Sequence, residues 1–155
     1  MGCEIDGFEI SQCIDKLENL LKQKEEYLNN ILSITLKQSD AISNYHIDNL
    51  LEYFDDRQKY IDKINEIDRN YSRVYDEIVP LVDLDNLVVL KDRAAAIKKL
   101  LNEIYDKDKK NNEQMENLVF KYKGEIKKIN NAHRTYDAYK GQSVLNDGIF
   151  IDKKQ

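Results

Sequence analysis

The chain has 155 residues, one Pro, five Gly and no Trp, with 34% charged and 41% hydrophobic residues and a formal net charge of −5. That length suits a single domain; the charge is too high for a thick core, and Leu, Ile and Tyr are too frequent for a disordered chain. No apolar run approaches ~20 residues and the acidic N-terminus lacks the basic region of a secretory signal, so a cytoplasmic protein without a membrane span is expected.

An elongated all-α antiparallel bundle with thin apolar seams satisfies these constraints. One domain over residues 1–155 is expected: a helical hairpin over about 8–79, a long third helix over about 84–140, and a short tail over 141–155. The first helix is predicted from Ile10 or slightly earlier to about Ser39. Its seam is Ile10, Cys13, Ile14, Leu17, Leu20, Leu21, Tyr27, Leu28, Ile31 and Ile34, interrupted by Lys24. Cys13 reads as a reduced thiol on that face, since two cysteines are too few for a disulfide framework. Met1-Gly2-Cys3 looks like an acylation start, but Asp6 stands where that motif wants Ser or Thr.

Ser39 to Asn44 is rich in cap and turn formers and is predicted to hold the reversal. The second helix follows from about Ile47 to Val79 with the seam Ile47, Leu50, Leu51, Phe54, Ile61, Ile64, Ile67, Tyr71, Val74, Tyr75 and Ile78. Pro80 should stop it and push Val79 out of helical geometry. Two helices of similar length on a short loop should pack antiparallel. Asp83 or Asp85 should cap the third helix.

The third helix carries the longest pattern. Its first heptad positions are Leu87, Ala94, Leu101, Asp108, Met115, Tyr122, Ile129 and Tyr136, and its second are Leu90, Ile97, Ile104, Asn111, Leu118, Glu125, Ala132 and Tyr139. Ile126 substitutes beside the polar Glu125, and Val119 adds to the seam beside Leu118. At ~1.5 Å per residue this helix would be about 80 Å long, which presents surface and points to binding rather than catalysis. The seam turns polar at Asp108 and Asn111. The favoured reading ends the hairpin there and lets the rest of the helix project or bend; the alternative is one polar layer fixing register in a continuous bundle. Gly124 interrupts the helix and marks a candidate flexing point.

Charge is unevenly divided. Residues 1–90 hold 9 Lys and Arg against 19 Asp and Glu, a net of −10, and residues 91–155 hold 15 against 10, a net of +5. A basic third helix on an acidic hairpin follows. The lysines from Lys98 to Lys128 read as a solvated face rather than a nucleic-acid stripe, because no aromatics alternate with them and only Arg134 lies beyond Arg93.

Recognisable chemistry is absent. His46 has no ligand three or four residues away and His133 has only Asp137, with no second His or Cys near either, so no metal site is expected. Asp106 and Asp108 have alternate spacing, but a calcium loop would need its glycine and less lysine around it. Glycine-rich phosphate loops, nucleophile elbows and kinase signatures are missing. His133 lacks the Lys-Gly of a phosphotransfer helix. No enzymatic activity and no cofactor are expected.

Two stretches go beyond a generic bundle: Asp48 through Asp68 (DNLLEYFDDRQKYIDKINEID), and the close of the chain from Tyr139 to Lys154, ending on Phe150-Ile151-Asp152-Lys153-Lys154. With the long helix between them they resemble the FlgN-type flagellar export chaperones, of the kind found in clostridia. The resemblance implies a cytoplasmic chaperone that binds hook–filament junction proteins and delivers them to the flagellar type III export apparatus. It also implies a partner-binding region in the distal third helix and tail: Tyr122, Ile126, Ile129, Tyr136, Tyr139, Val144, Leu145, Ile149, Phe150 and Ile151. An apolar seam that outruns the hairpin past residue 112 independently suits a docking groove, unless the tail folds back over it. Tyr27, Tyr60, Tyr71 and Tyr75 read as core filling, Tyr136 and Tyr139 as contacts. Competing readings are a FliT-type chaperone for the filament-cap protein and a structural coiled coil that only self-associates. A homo-oligomer is compatible with either.

Overall fold

The computed structural model describes residues 6–133. Three long helices dominate them: α1, Gly7–Ser43; α2, Leu50–Ile78; and α3, Val88–His133, with no strand among the described residues. At ~1.5 Å per residue they measure about 55, 43 and 69 Å.

Each boundary has a local cause. Asp6 accepts a hydrogen bond from the Glu9 amide at 2.8 Å, which satisfies one of the free donors at the start of α1. At the other end α1 runs four residues past the expected stop at Ser39. The Ser39 hydroxyl is engaged inside the fold, 3.1 Å from the Thr35 carbonyl and 2.6 Å from Asn111 Oδ1. Ala41 and Ile42 then bury against Met115 and Leu118. Burial therefore overrides the turn propensity of this stretch. The helix closes where the His46 amide donates to the Ala41 carbonyl at 2.8 Å and the Tyr45 amide to Ile42 at 3.3 Å. That pair of bonds is the Schellman arrangement. Tyr45 occupies its left-handed position with φ of 60°, where glycine is usual and a side chain costs about 1–2 kcal/mol.

The α2–α3 connection departs from expectation in two ways. Val79 stays in the right-handed helical region, with φ −54° and ψ −43°. Pro80 falls in the first turn of a 3₁₀ segment, Val79–Leu81, where its missing amide hydrogen is no loss. Neither Asp83 nor Asp85 caps α3 with its side chain. A second 3₁₀ turn, Leu84–Leu87, leads into the helix, held by the Asn86 amide on the Asp83 carbonyl at 3.0 Å.

Side-chain pairings give the topology. Lys24 meets Asp68 at 2.7 Å and Gln38 meets Arg57 at 3.1 Å, so α1 and α2 are antiparallel. Glu18 meets Arg93 at 3.3 Å and the Thr35 carbonyl meets Asn111 at 3.2 Å, so α1 and α3 are parallel. The chain runs up, down and up, with α3 antiparallel to α2. The sequence placed most of the core correctly. Leu17, Leu21, Leu28 and Ile31 bury against Ile64, Val74, Ile78, Leu87, Leu90, Ile97 and Ile104, with half-buried Cys13, Tyr27, Tyr60, Tyr71 and Tyr75 packed on them. Tyr71 and Tyr75 stack at 5.6 Å, and burial first, then Tyr75, pushes the Tyr71 phenol up. Leu51 and Leu101, both assigned to seams, are exposed.

The polar break in α3 is a buried layer. Asp108 receives both terminal nitrogens of Arg57 in a bidentate pair, and Arg57 also donates to Gln38 Oε1. Asn111 bonds Ser39 and the Thr35 carbonyl in the next tier. This layer separates the main core from a smaller one made by Ala41, Ile42, Leu50, Met115 and Leu118. The favoured reading, that the hairpin ends at 106–112, is therefore corrected. α3 is continuous there and still covered, because its polar residues found partners in seam positions of the other two helices.

Candidate functional site: the bare arm of the third helix

Length alone creates the site. In the hydrogen-bonded α1–α3 pairs, the α3 residue lies 72 to 76 positions after its α1 partner. Ser43, the last residue of α1, is thus level with roughly 115–119 on α3. From about Val119 to His133 no helix of the hairpin lies opposite, leaving an arm about 22 Å long. The projection expected from the sequence exists, but it begins about ten residues later.

The heptad continues into this arm. Tyr122 and Ile129 are 42% and 49% exposed, and Ile126 between them is half-buried. With ~100° between successive residues, Ile126 and Ile129 fall about 40° and 20° either side of Tyr122. They stand in line with Met115 and Leu118, which the hairpin covers. Phe120 is exposed on the opposite side. The structure brings together three of the site residues read from the sequence. Tyr136, Tyr139, Val144, Leu145, Ile149, Phe150 and Ile151 lie outside the described residues.

At the base of the arm is an open groove of about 340 Å³ lined by Ile42, Ser43, Tyr45, Gln114, Asn117, Leu118 and Lys121. The Lys121 ammonium sits 5.7 Å from the centre of the Tyr45 ring, within cation–π range. The strained turn of α1 thus sets a ring beside the first exposed turn of the arm. Sequence reading missed this pair. Tyr45 and Lys121 share no periodicity, and only the α1–α3 register brings them together.

Gly124 lies inside the arm, and α3 passes through it without a break. A Cβ there would meet nothing within 4 Å. Gly124→Ala should therefore raise helical ellipticity at 222 nm, since alanine favours an exposed helix interior by about 1 kcal/mol. Any ligand that needs the arm helical should bind up to about fivefold tighter. An unchanged helical signal would mean the arm is already fully helical without the substitution.

Other features carry less. Phe8, Leu81, Leu84, Val88 and Val89 are exposed at the opposite end of the bundle, but they do not continue a buried seam. Among the described residues, no group of three His, Cys, Asp or Glu could hold a metal ion, and no helix is long and apolar enough to cross a membrane. Comparison with known protein families, curated proteins and solved structures finds no match to this chain.

Proposed function

We propose that this protein is a helix-binding chaperone, in the manner of the FlgN-type export family that its sequence resembles. The bare arm of α3 receives an amphipathic helix from a hook–filament junction protein. It shields that helix in the cytoplasm and releases it at the flagellar export apparatus. One observation supports the reading above the others: the apolar seam of α3 persists for about three helical turns, to Ile129, after the hairpin that covers it has ended. An apolar stripe at helical spacing, in line with a buried seam, is what a helix-in-groove partner needs. The role calls for no catalytic group or cofactor.

Calorimetric titration with the terminal helices of hook–filament junction proteins tests this. Wild type should bind at least one of them. Ile129→Glu and Tyr122→Glu should each weaken binding by about 2 kcal/mol or more, some thirtyfold in Kd, with an unchanged thermal transition. Helices of the filament-cap protein belong in the same titration, because binding to those alone would favour the FliT-type assignment. If wild type binds none, or the charged variants bind as tightly, the arm is not the docking site.

A further inference from the structure

The docking reading leaves the partner's chemistry open, and the charges beside the stripe narrow it. Lys123 and Lys127 lie about 100° and 140° round from Tyr122 on one side, and Lys121 and Lys128 about 100° and 120° on the other. All four are exposed. Glu125 is the one acid between residues 119 and 133. Lysines thus flank the apolar stripe on both sides, with Glu125, about 60° round from Tyr122, standing between the stripe and the Lys121 and Lys128 edge.

Further down, the same helix shows what such an edge is matched to. Arg93, half-buried beside the covered seam, reaches Glu18 at 3.3 Å and Glu25 at 3.8 Å, both on α1. The helix that covers α3 there holds six acids against four lysines. Where α1 ends, the basic edge continues and its acidic counterpart does not.

We propose that the arm is built for an acidic amphipathic helix, which takes up the position α1 holds lower in the bundle. Its apolar face covers Tyr122, Ile126 and Ile129, its carboxylates meet the flanking lysines, and its end abuts the Tyr45–Lys121 groove. This rests on the docking reading and adds the sign of the partner's charge. A protein helix fits better than a lipid surface. The stripe is narrow and in register with a seam made for helix packing, whereas interfacial helices carry a broad apolar face.

Two designed peptides test it against the full-length protein. Both are amphipathic helices with the same leucine stripe; one carries Glu and the other Lys at the flanking positions. In low salt the Glu peptide should bind about tenfold or more tighter, as expected of four exposed ion pairs, and the gap should shrink at high salt. The triple variant Lys123→Glu, Lys127→Glu, Lys128→Glu changes only solvent-facing charges and should reverse the preference. Equal binding of both peptides would overturn the acidic-partner inference while leaving the arm as a docking site. Binding of neither would remove the docking reading as well. Binding to anionic phosphatidylglycerol vesicles with no selection between peptides would assign the arm to a membrane surface and overturn the proposal.

Discussion

Arg57→Leu should lower the unfolding free energy by about 3–5 kcal/mol, because it leaves the Asp108 carboxylate in the interior without its cation. Arg57 is 2% exposed and binds Asp108 through two nitrogens, so little water reaches the pair. For a domain whose net stability is on the order of 5–15 kcal/mol, such a loss approaches unfolding at ambient temperature. The double variant Arg57→Leu, Asp108→Leu should recover most of it. Desolvating two ions costs about as much as their attraction returns, and a packed pair of leucines avoids both. Gln38 would still lose its donor, which keeps the recovery incomplete by roughly 1–3 kcal/mol. Urea denaturation followed by circular dichroism reads all three proteins. A single variant within about 0.5 kcal/mol of wild type would mean that the pair is hydrated rather than buried.

The layer also favours one register. Without it, α2 and α3 present similar aliphatic seams, and a slip of one heptad would cost little. With it, a slip sets Arg57 against Leu101 or Met115 and strands both charges. The position of the arm depends on this, because the register decides which residues of α3 extend past the hairpin.

Leu17→Ala should cost roughly 3 kcal/mol or more, since Leu17 is 0% exposed within the main core and its truncation leaves a cavity there. Leu51→Ala is the matched control. Leu51 belongs to the seam expected of α2 yet is 68% exposed, so its loss should stay within about 0.5 kcal/mol. The two substitutions remove the same atoms, and only the tertiary environment separates them. Equal melting shifts would show that the helical register is wrong.

These residues mark how far the sequence could be read. Helix existence and class were legible because a period of about 3.5 residues over several turns has one physical solution, a helix buried along one side. The positions of Leu17, Ile31, Ile64, Ile97 and Ile104 followed from that period. The arm was legible in kind, because the apolar seam runs on into Tyr122, Ile126 and Ile129. Its starting point was not, since a polar residue in a seam looks the same whether it ends the packing or meets a partner. Arg57 lies one heptad from both Leu50 and Ile64, a signal that was present, but its match to Asp108 needed the relative slide of two helices. Periodicity along a chain determines which face of a helix is buried. Only packing determines the axial offset between helices, and that offset decides here that Asp108 is an interior ion, that Tyr45 lies beside Lys121, and that the hairpin no longer covers α3 from about residue 119.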